Sequence, residues 1–338
     1  MKRASHRVRL SVESLSRSVF TLLAIGALAG LCPLIAQDRS PLAVDIERFE
    51  AFIDPLMKRC LDEAHVPGGV FVLVGEGRIL FSGGYGLADL ESRTPVDPAR
   101  SRFHVGSISK TVTATAVMQL VEAGKLDLDT DVNTYLKSYQ IPATFPQPVT
   151  LRNLLTHTAG FDENNIGRLR PSWSAAPPLG EFLDDLGPSR AYPPGEICIY
   201  TNHAAAISGL IVEEVTGIPF SRYVAERIVA PLGMSQSGFF CSDAALPDLA
   251  TSYRYVKERF ERRPPSWHVE YPAAMFAATG DDMGRFLVAH LGGGLFEGNR
   301  ILGGPPSTSC TRDTSLIIRA STAPRSVSSN ATRTVCAP

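Results

Sequence analysis

Between residues 46 and 63 the chain places apolar side chains at a helical interval. Phe49, Phe52, Ile53, Leu56 and Cys60 fall on one face of "IERFEAFIDPLMKRCLDE", which predicts a helix with a bend at Pro55. The period then changes. "GGVFVLVGEGRILFSGGYG" holds two short apolar runs about Gly75–Gly77, which predicts a β-hairpin with buried strands Val70–Val74 and Ile79–Ser82. From Ser107 to Ala123 nearly every face is apolar or small, the pattern of a helix buried all round, with Gly124 as its C-cap. Further apolar helices are predicted over His203–Val215 (ahead of Gly217), Ser221–Ile228 and Asp281–Leu291. Strand signals are almost absent between Ser82 and Tyr271, so the middle of the chain reads as a helical lobe with long loops.

A single hairpin is not stable alone and needs further strands. The tail offers little. Residues 303–338 are about one third Ser and Thr, with no aromatic residue and one apolar cluster, Leu316–Ile318. Such a composition buries little surface and is expected to stay mostly disordered. The C-terminal strands are therefore expected to be missing, with the hairpin left exposing an apolar edge. The abrupt change at Gly303 reads as a truncation or a reading-frame change.

Composition narrows the class. The chain has 338 residues, 44% of them hydrophobic, with a formal charge of -1, which suits one large core and gives no electrostatic case for nucleic acid. Lys2, Arg3, Arg7, Arg9 and Arg17 precede an apolar run from Val19 to Ile35, so residues 1–36 read as an export signal or an N-terminal anchor. Cleavage would follow Ala29 or Ala36, and Leu31 before Cys32 argues against a lipoprotein. A periplasmic, extracellular or membrane-anchored protein is expected. Cleavage after Ala36 would leave five of the six cysteines, Cys60, Cys198, Cys241, Cys310 and Cys336, dispersed and odd in number, and they read as small buried hydrophobes rather than a disulfide framework. No zinc-type spacing and no phosphate loop occurs, so neither metal nor cofactor is expected.

The candidate chemistry lies at the mouth of the buried helix, in "FHVGSISKTVTATAVMQL". Residues three apart share a helix face, so Ser107 meets Lys110 and Ser109 points elsewhere. A serine hydroxyl is a weak nucleophile until a base takes its proton, and a desolvated lysine is such a base. Taken alone, the pair also fits a serine N-cap beside a chance lysine. A second motif lies in "GEICIYTNHAAAISG". Tyr200 and Asn202 flank Thr201 in an extended turn, so their side chains can project into one cleft, the tyrosine to relay a proton and the asparagine to hold a carbonyl. Their bland readings are a packed aromatic and a helix N-cap.

Together, Ser107-Ile108-Ser109-Lys110 and Tyr200-Thr201-Asn202 resemble the serine β-lactamase and penicillin-binding-protein superfamily, in the branch of class C β-lactamases, D-alanyl-D-alanine carboxypeptidases and related esterases. "GKLDLDTDVNTYL", "VTLRNLLTHTAGF" and "PPGE" lie in order between the two motifs and "APLGM" after them, and the resemblance covers about residues 46–302. It implies an α/β (α+β) fold, a helical lobe beside an antiparallel sheet, with the site between. It implies Ser107 as the acylated nucleophile, Lys110 and Tyr200 sharing base and acid work, and Asn202 contacting substrate. His157 is read as structural, because Lys110 and Tyr200 already fill the role of base.

One feature of the family is missing. Its third motif, Lys-Thr-Gly or His-x-Gly on a late strand, cannot follow Lys257, the last lysine, and His290-Leu291-Gly292 ends a helical run too early. Two readings stand. The first is an exported monomeric serine hydrolase acting through an acyl-enzyme on β-lactams, D-Ala-D-Ala peptides of peptidoglycan or small esters. The second is a truncated, catalytically dead pseudoenzyme of the same family. An α/β-hydrolase is disfavoured because no Gly-x-Ser-x-Gly occurs. The loops Asp162–Pro188 and Asp243–Pro272, which would select the substrate, carry no readable chemistry.

Overall fold

The computed structural model describes residues 45–163 and 166–303, and the backbone of 317–321. The segment read as an export signal, most of the tail, Cys310 and Cys336 lie outside the described residues.

Helix α1 (Ile46–Glu63) has the predicted bounds, with Pro55 inside it. It buries Ile53, Met57 and Leu61, while Phe52 is 65% exposed and is not part of the apolar face. Strands β1 (Gly68–Gly75) and β2 (Arg78–Asp89) form the predicted hairpin, paired through Val72↔Ser82. β2 runs seven residues past the expected end at Ser82 because the backbone, rather than side chains, fills the space there. A Cβ on Gly84 would lie 2.3 Å from the Val96 carbonyl oxygen, and one on Gly86 (φ +71°) 2.2 Å from that of Pro67. β3 (Thr94–Pro95) pairs with β2.

The other edge of β1 is covered. The strand formed by Ile317–Ser321, here β13, pairs antiparallel with it, Val70 opposite Ala320. The sheet order is β13-β1-β2-β3. The expectation that the hairpin would lack a partner and that the tail would form no strand is corrected at these five residues. Strand β13 begins inside the one apolar cluster of the tail.

The predicted helices form the other layer. α2 (Ser109–Glu122) buries Val112, Ala116, Val117 and Leu120, and Gly124 takes the left-handed conformation after it (φ +67°). A short α3 (Leu151–Leu155) opens with a Thr150–Asn153 capping box, and α4 spans Leu179–Leu186. α5 (Asn202–Thr216) is buried from His203 to Val212 and stops at left-handed Gly217. α6 (Phe220–Val224) continues as a π turn, Ala225–Val229.

The stretch from Ser82 to Tyr271 is not strand-free. β4 (Phe103–His104), β6 (Gly238–Phe239) and a later strand, Phe276–Ala278, form a small sheet. β5 (Leu169–Arg170) pairs with β9 (Trp267–His268). β7 (Tyr253–Val256) and β8 (Arg259–Arg262) form a second hairpin. Its turn is Lys257-Glu258, both at positive φ without a glycine, so the sequence carried no turn signal for it. The one-turn helix α7 (Tyr271–Ala274) leads into the Phe276–Ala278 strand, β10. α8 (Gly280–Leu291) then crosses the main sheet, its Gly280 and Gly284 seated on Val70, Val72 and Ile79. His290 lies within α8 and meets Thr115 Oγ1 at 3.2 Å, and Gly292 is the C-cap, so the His-x-Gly at 290–292 ends a helix rather than lying on a strand. A last small hairpin is formed by β11 (Leu295–Phe296) and β12 (Asn299–Arg300).

Three of the cysteines are described, all as free thiols. Cys60 and Cys241 are half-buried and Cys198 is exposed, which corrects the reading of that residue as a buried hydrophobe. Burial pushes the Cys241 thiol up to about 12.

Candidate active site

Ser107 sits in a 3₁₀ turn, Gly106–Ile108, that feeds directly into α2. The turn leaves Ser107 exposed and points Ser109 inward, where its hydroxyl accepts the Phe276 N–H at 3.0 Å. Lys110, one turn on, reaches back with its Nζ 3.4 Å from Ser107 Oγ. The Tyr200 hydroxyl donates to the same Oγ at 2.6 Å. Thr201 is extended and caps α5 by accepting the His203 N–H, so Tyr200 and Asn202 both face the serine turn. Lys110 and Tyr200 therefore converge on Ser107, and Asn202 joins them through Lys110.

The Lys110 amine has two good acceptors, Asn202 Oδ1 at 2.7 Å and the Ala273 carbonyl at 3.0 Å. A neutral amine has two N–H groups, so these contacts use both and leave its lone pair toward Ser107. Burial lowers the Lys110 pKa from 10.5 to about 8, against the pull of Glu163 and Glu270 and with help from Arg168. Tyr200 goes the other way. Burial raises its phenol above the ordinary value, and the hydrogen bond to Ser107 only partly offsets this. Burial thus makes the Lys110 amine easier to deprotonate and keeps the proton on the Tyr200 phenol.

His157 faces the tyrosine rather than the serine. Its ring lies 4.7 Å from the Tyr200 ring and its Nδ1 meets the Thr201 N–H at 3.4 Å. It props the Tyr200 segment.

Behind the lysine lies a charged cluster that the sequence reading missed. Glu163 accepts the Asn202 backbone N–H at 2.9 Å and its side-chain Nδ2 at 2.8 Å. Arg168 meets Glu163 at 3.1 Å and approaches Glu270 at 3.9 Å. His203 Nδ1 lies 3.6 Å from both Glu163 Oε2 and Glu270 Oε1, while its Nε2 faces the Leu186 carbonyl at 3.1 Å. Burial would raise the Glu163 carboxyl, but contacts from His203, Thr201 and the Asn202 N–H hold it at about 2. Burial would lower His203, but its carboxylate neighbours raise it. Glu270, 1% exposed, is raised by burial. Glu163, Arg168 and Glu270 come from the two loops that showed no readable chemistry. The only local hint was a histidine inside an otherwise apolar helix.

The spacing of Glu163, His203 and Glu270, with one ligand atom from each lying within 4.8 Å of the others, is one that a metal ion could occupy. Arg168 already supplies a cation to both carboxylates.

The Beta-lactamase family model matches residues 49–315, and the chain belongs to that family. PbpX of Bacillus subtilis (strain 168) is 31% identical over 188 residues, 55% of this chain and 45% of that protein. Protein flp of Staphylococcus aureus (strain N315) is 25% identical over 193 residues, 55% of this chain and 38% of that one. The matches thus span less than half the length of these curated relatives. Among solved structures, the octameric penicillin-binding protein homologue of Pyrococcus abyssi superposes with a TM-score of 0.60 at 27% identity, over 73% of this chain and 56% of that one. The hydrolase EstCE1 shares the fold, with a TM-score of 0.62 at 21% identity, over 73% of each chain. The fold is thus the mixed α/β architecture of the penicillin-binding protein homologue and of the hydrolase EstCE1.

Proposed function

We propose that the chain is a serine hydrolase that works through an acyl-enzyme on Ser107. The observation that carries this is the convergence of Lys110 Nζ and the Tyr200 hydroxyl on Ser107 Oγ, at 3.4 and 2.6 Å. Neutral Lys110 takes the Ser107 proton as Oγ attacks a carbonyl carbon. The leaving atom departs with the Tyr200 proton, which sets a phenolate against the new ammonium. Water then returns a proton to that phenolate and attacks the acyl carbon, and Ser107 Oγ leaves with the proton held by Lys110. Asn202 keeps the lysine in place through its Oδ1 and lies beside the cleft where a substrate carbonyl would sit.

The proposed substrates are β-lactams, D-Ala-D-Ala peptides or small esters. The penicillin-binding-protein relatives support the first two, and small esters rest on the motif resemblance alone. Export to the periplasm or exterior, or attachment to a membrane, belongs to the same proposal and rests on the composition of residues 1–36.

The test is labelling of the full chain by a fluorophosphonate and by a fluorescent penicillin. Label on Ser107 that is lost in Ser107→Ala is the expected result. No label, or equal label in the variant, would favour the pseudoenzyme reading, whose specific support is the lack of a third motif after Lys257.

A further inference from the structure

Asn202 can be oriented in only one way. Its Oδ1 accepts from Lys110 Nζ at 2.7 Å and its Nδ2 donates to Glu163 Oε1 at 2.8 Å. A flipped amide would set N–H groups against the lysine and a carbonyl against a carboxylate, since a carboxylate only accepts. Glu163 also holds the backbone N–H of the same residue, at 2.9 Å through Oε2. This grip on two donors fixes both the start of α5 and the rotation of its first side chain.

Glu163 is itself fixed from behind by Arg168 and by His203, with buried Glu270 completing the group. His203 shows why the group has four members. Its Nε2 faces the Leu186 carbonyl, which only accepts, so Nε2 carries a proton. Nδ1 then faces two carboxylates at 3.6 Å and has no hydrogen-bond partner, nor has either Glu270 oxygen. A lone pair there would repel both carboxylates, whereas a proton on Nδ1 attracts both. Two carboxylates, one guanidinium and one imidazolium make a neutral cluster.

We infer that Glu163 is the positioning residue of this site: backed by Arg168, His203 and Glu270, it locks the Asn202 amide and thereby aims the Lys110 lone pair at Ser107. The inference rests on the acyl-enzyme reading for its functional meaning, but its geometry is independent of the substrate. Groups facing the amine also set its charge: Tyr200 ahead of α5, Glu163 and Arg168 from the loop up to β5, and Glu270 ahead of α7. His157 and His268 stand further out and are themselves lowered in part by the Lys110 charge. The two carboxylates favour the ammonium, so neutralising either lowers the Lys110 pKa further below about 8.

The experiment uses the full chain with Glu163→Gln, Glu163→Asp and Glu270→Gln. Two readouts are taken: NMR titration of Lys110 in ¹³C-lysine-labelled protein, and the pH profile of Ser107 labelling by a fluorophosphonate. Glu163→Gln is expected to lower the Lys110 midpoint, move the Asn202 side-chain amide resonances and cut the plateau labelling rate by about ten- to a hundredfold. Glu163→Asp keeps the charge and should restore the midpoint in part. Glu270→Gln, which does not touch Asn202, should lower the midpoint while leaving the Asn202 amide in place, and it serves as the test should Glu163→Gln not fold. Folded variants with a wild-type midpoint and wild-type Asn202 resonances would overturn the inference. A wild-type midpoint moved by equimolar zinc, or by EDTA, would also overturn it, by making the cluster a metal site. If the wild type takes no label but the midpoint and amide still move, the acyl-enzyme reading fails and the positioning stands.

Discussion

In the proposed mechanism Lys110 does two opposed things: it holds its place among polar atoms and gives up its proton near neutral pH. Burial accomplishes the second, lowering it to about 8, and Asn202 and Ala273 accomplish the first. Below that value each pH unit costs a tenfold loss of the neutral amine, so the rate of Ser107 acylation should rise with pH and level off above about 8. A fluorophosphonate labelling profile from pH 6 to 10 checks this. A limb at or below pH 6.5 would point instead to His157, which burial and Lys110 hold below its ordinary value. Lys110→Ala should remove labelling at all pH values. Tyr200→Phe should leave the acid limb in place, because the raised phenol is no base, and should slow release of the leaving group by roughly a hundredfold, an effect of the size general acids supply.

The elements carrying these residues were legible to different degrees, for physical reasons. Helix α2 announced itself because it is apolar on nearly all faces, and the three-residue spacing of Ser107 and Lys110 needs only helical geometry. Strand β2 was read seven residues short because Gly83, Gly84 and Gly86 offer no side-chain pattern, although the contacts of their bare backbone are what require glycine. The β7–β8 turn was invisible because Lys257 and Glu258 adopt left-handed conformations that glycine or asparagine usually advertises. The Tyr200–Asn202 segment was readable as a motif, and between its two site residues lies Thr201, 1% exposed, whose hydroxyl caps α5. Thr201→Ala should cost about 1 kcal/mol of stability in chemical denaturation. Its effect on Ser107 labelling should be larger than that loss implies, since Tyr200 and Asn202 lie on either side of the cap.

At the scale of the whole molecule, the charged cluster joins three stretches far apart in the chain: the loop after α3, the start of α5 and the approach to α7. Periodicity and motif spacing describe neighbours along the chain, so an arrangement made only by long-range folding left no mark on the sequence beyond His203 in an apolar helix. It should nonetheless show in acid unfolding. The Glu163 carboxyl falls from 4.5 to about 2 on folding and is 21% exposed. A depressed carboxyl stabilises the fold above its unfolded value and loses that contribution as pH drops through its folded one. The difference is worth roughly 3 kcal/mol at about 1.4 kcal/mol per pH unit. His203 behaves oppositely: raised from 6.5, it stabilises fully below 6.5 and ceases to do so as pH climbs through its folded value. Glu270, raised by burial, works against the fold as it ionises above 4.5, which blunts the gain there. Denaturant unfolding between pH 2 and 8 should therefore show stability falling steeply below about 4.5 and sagging again above 6.5. In Glu163→Gln the acid slope should flatten. An unchanged acid slope in that variant would mean that the three chain segments are held together by apolar packing alone and that the cluster serves only the lysine it faces.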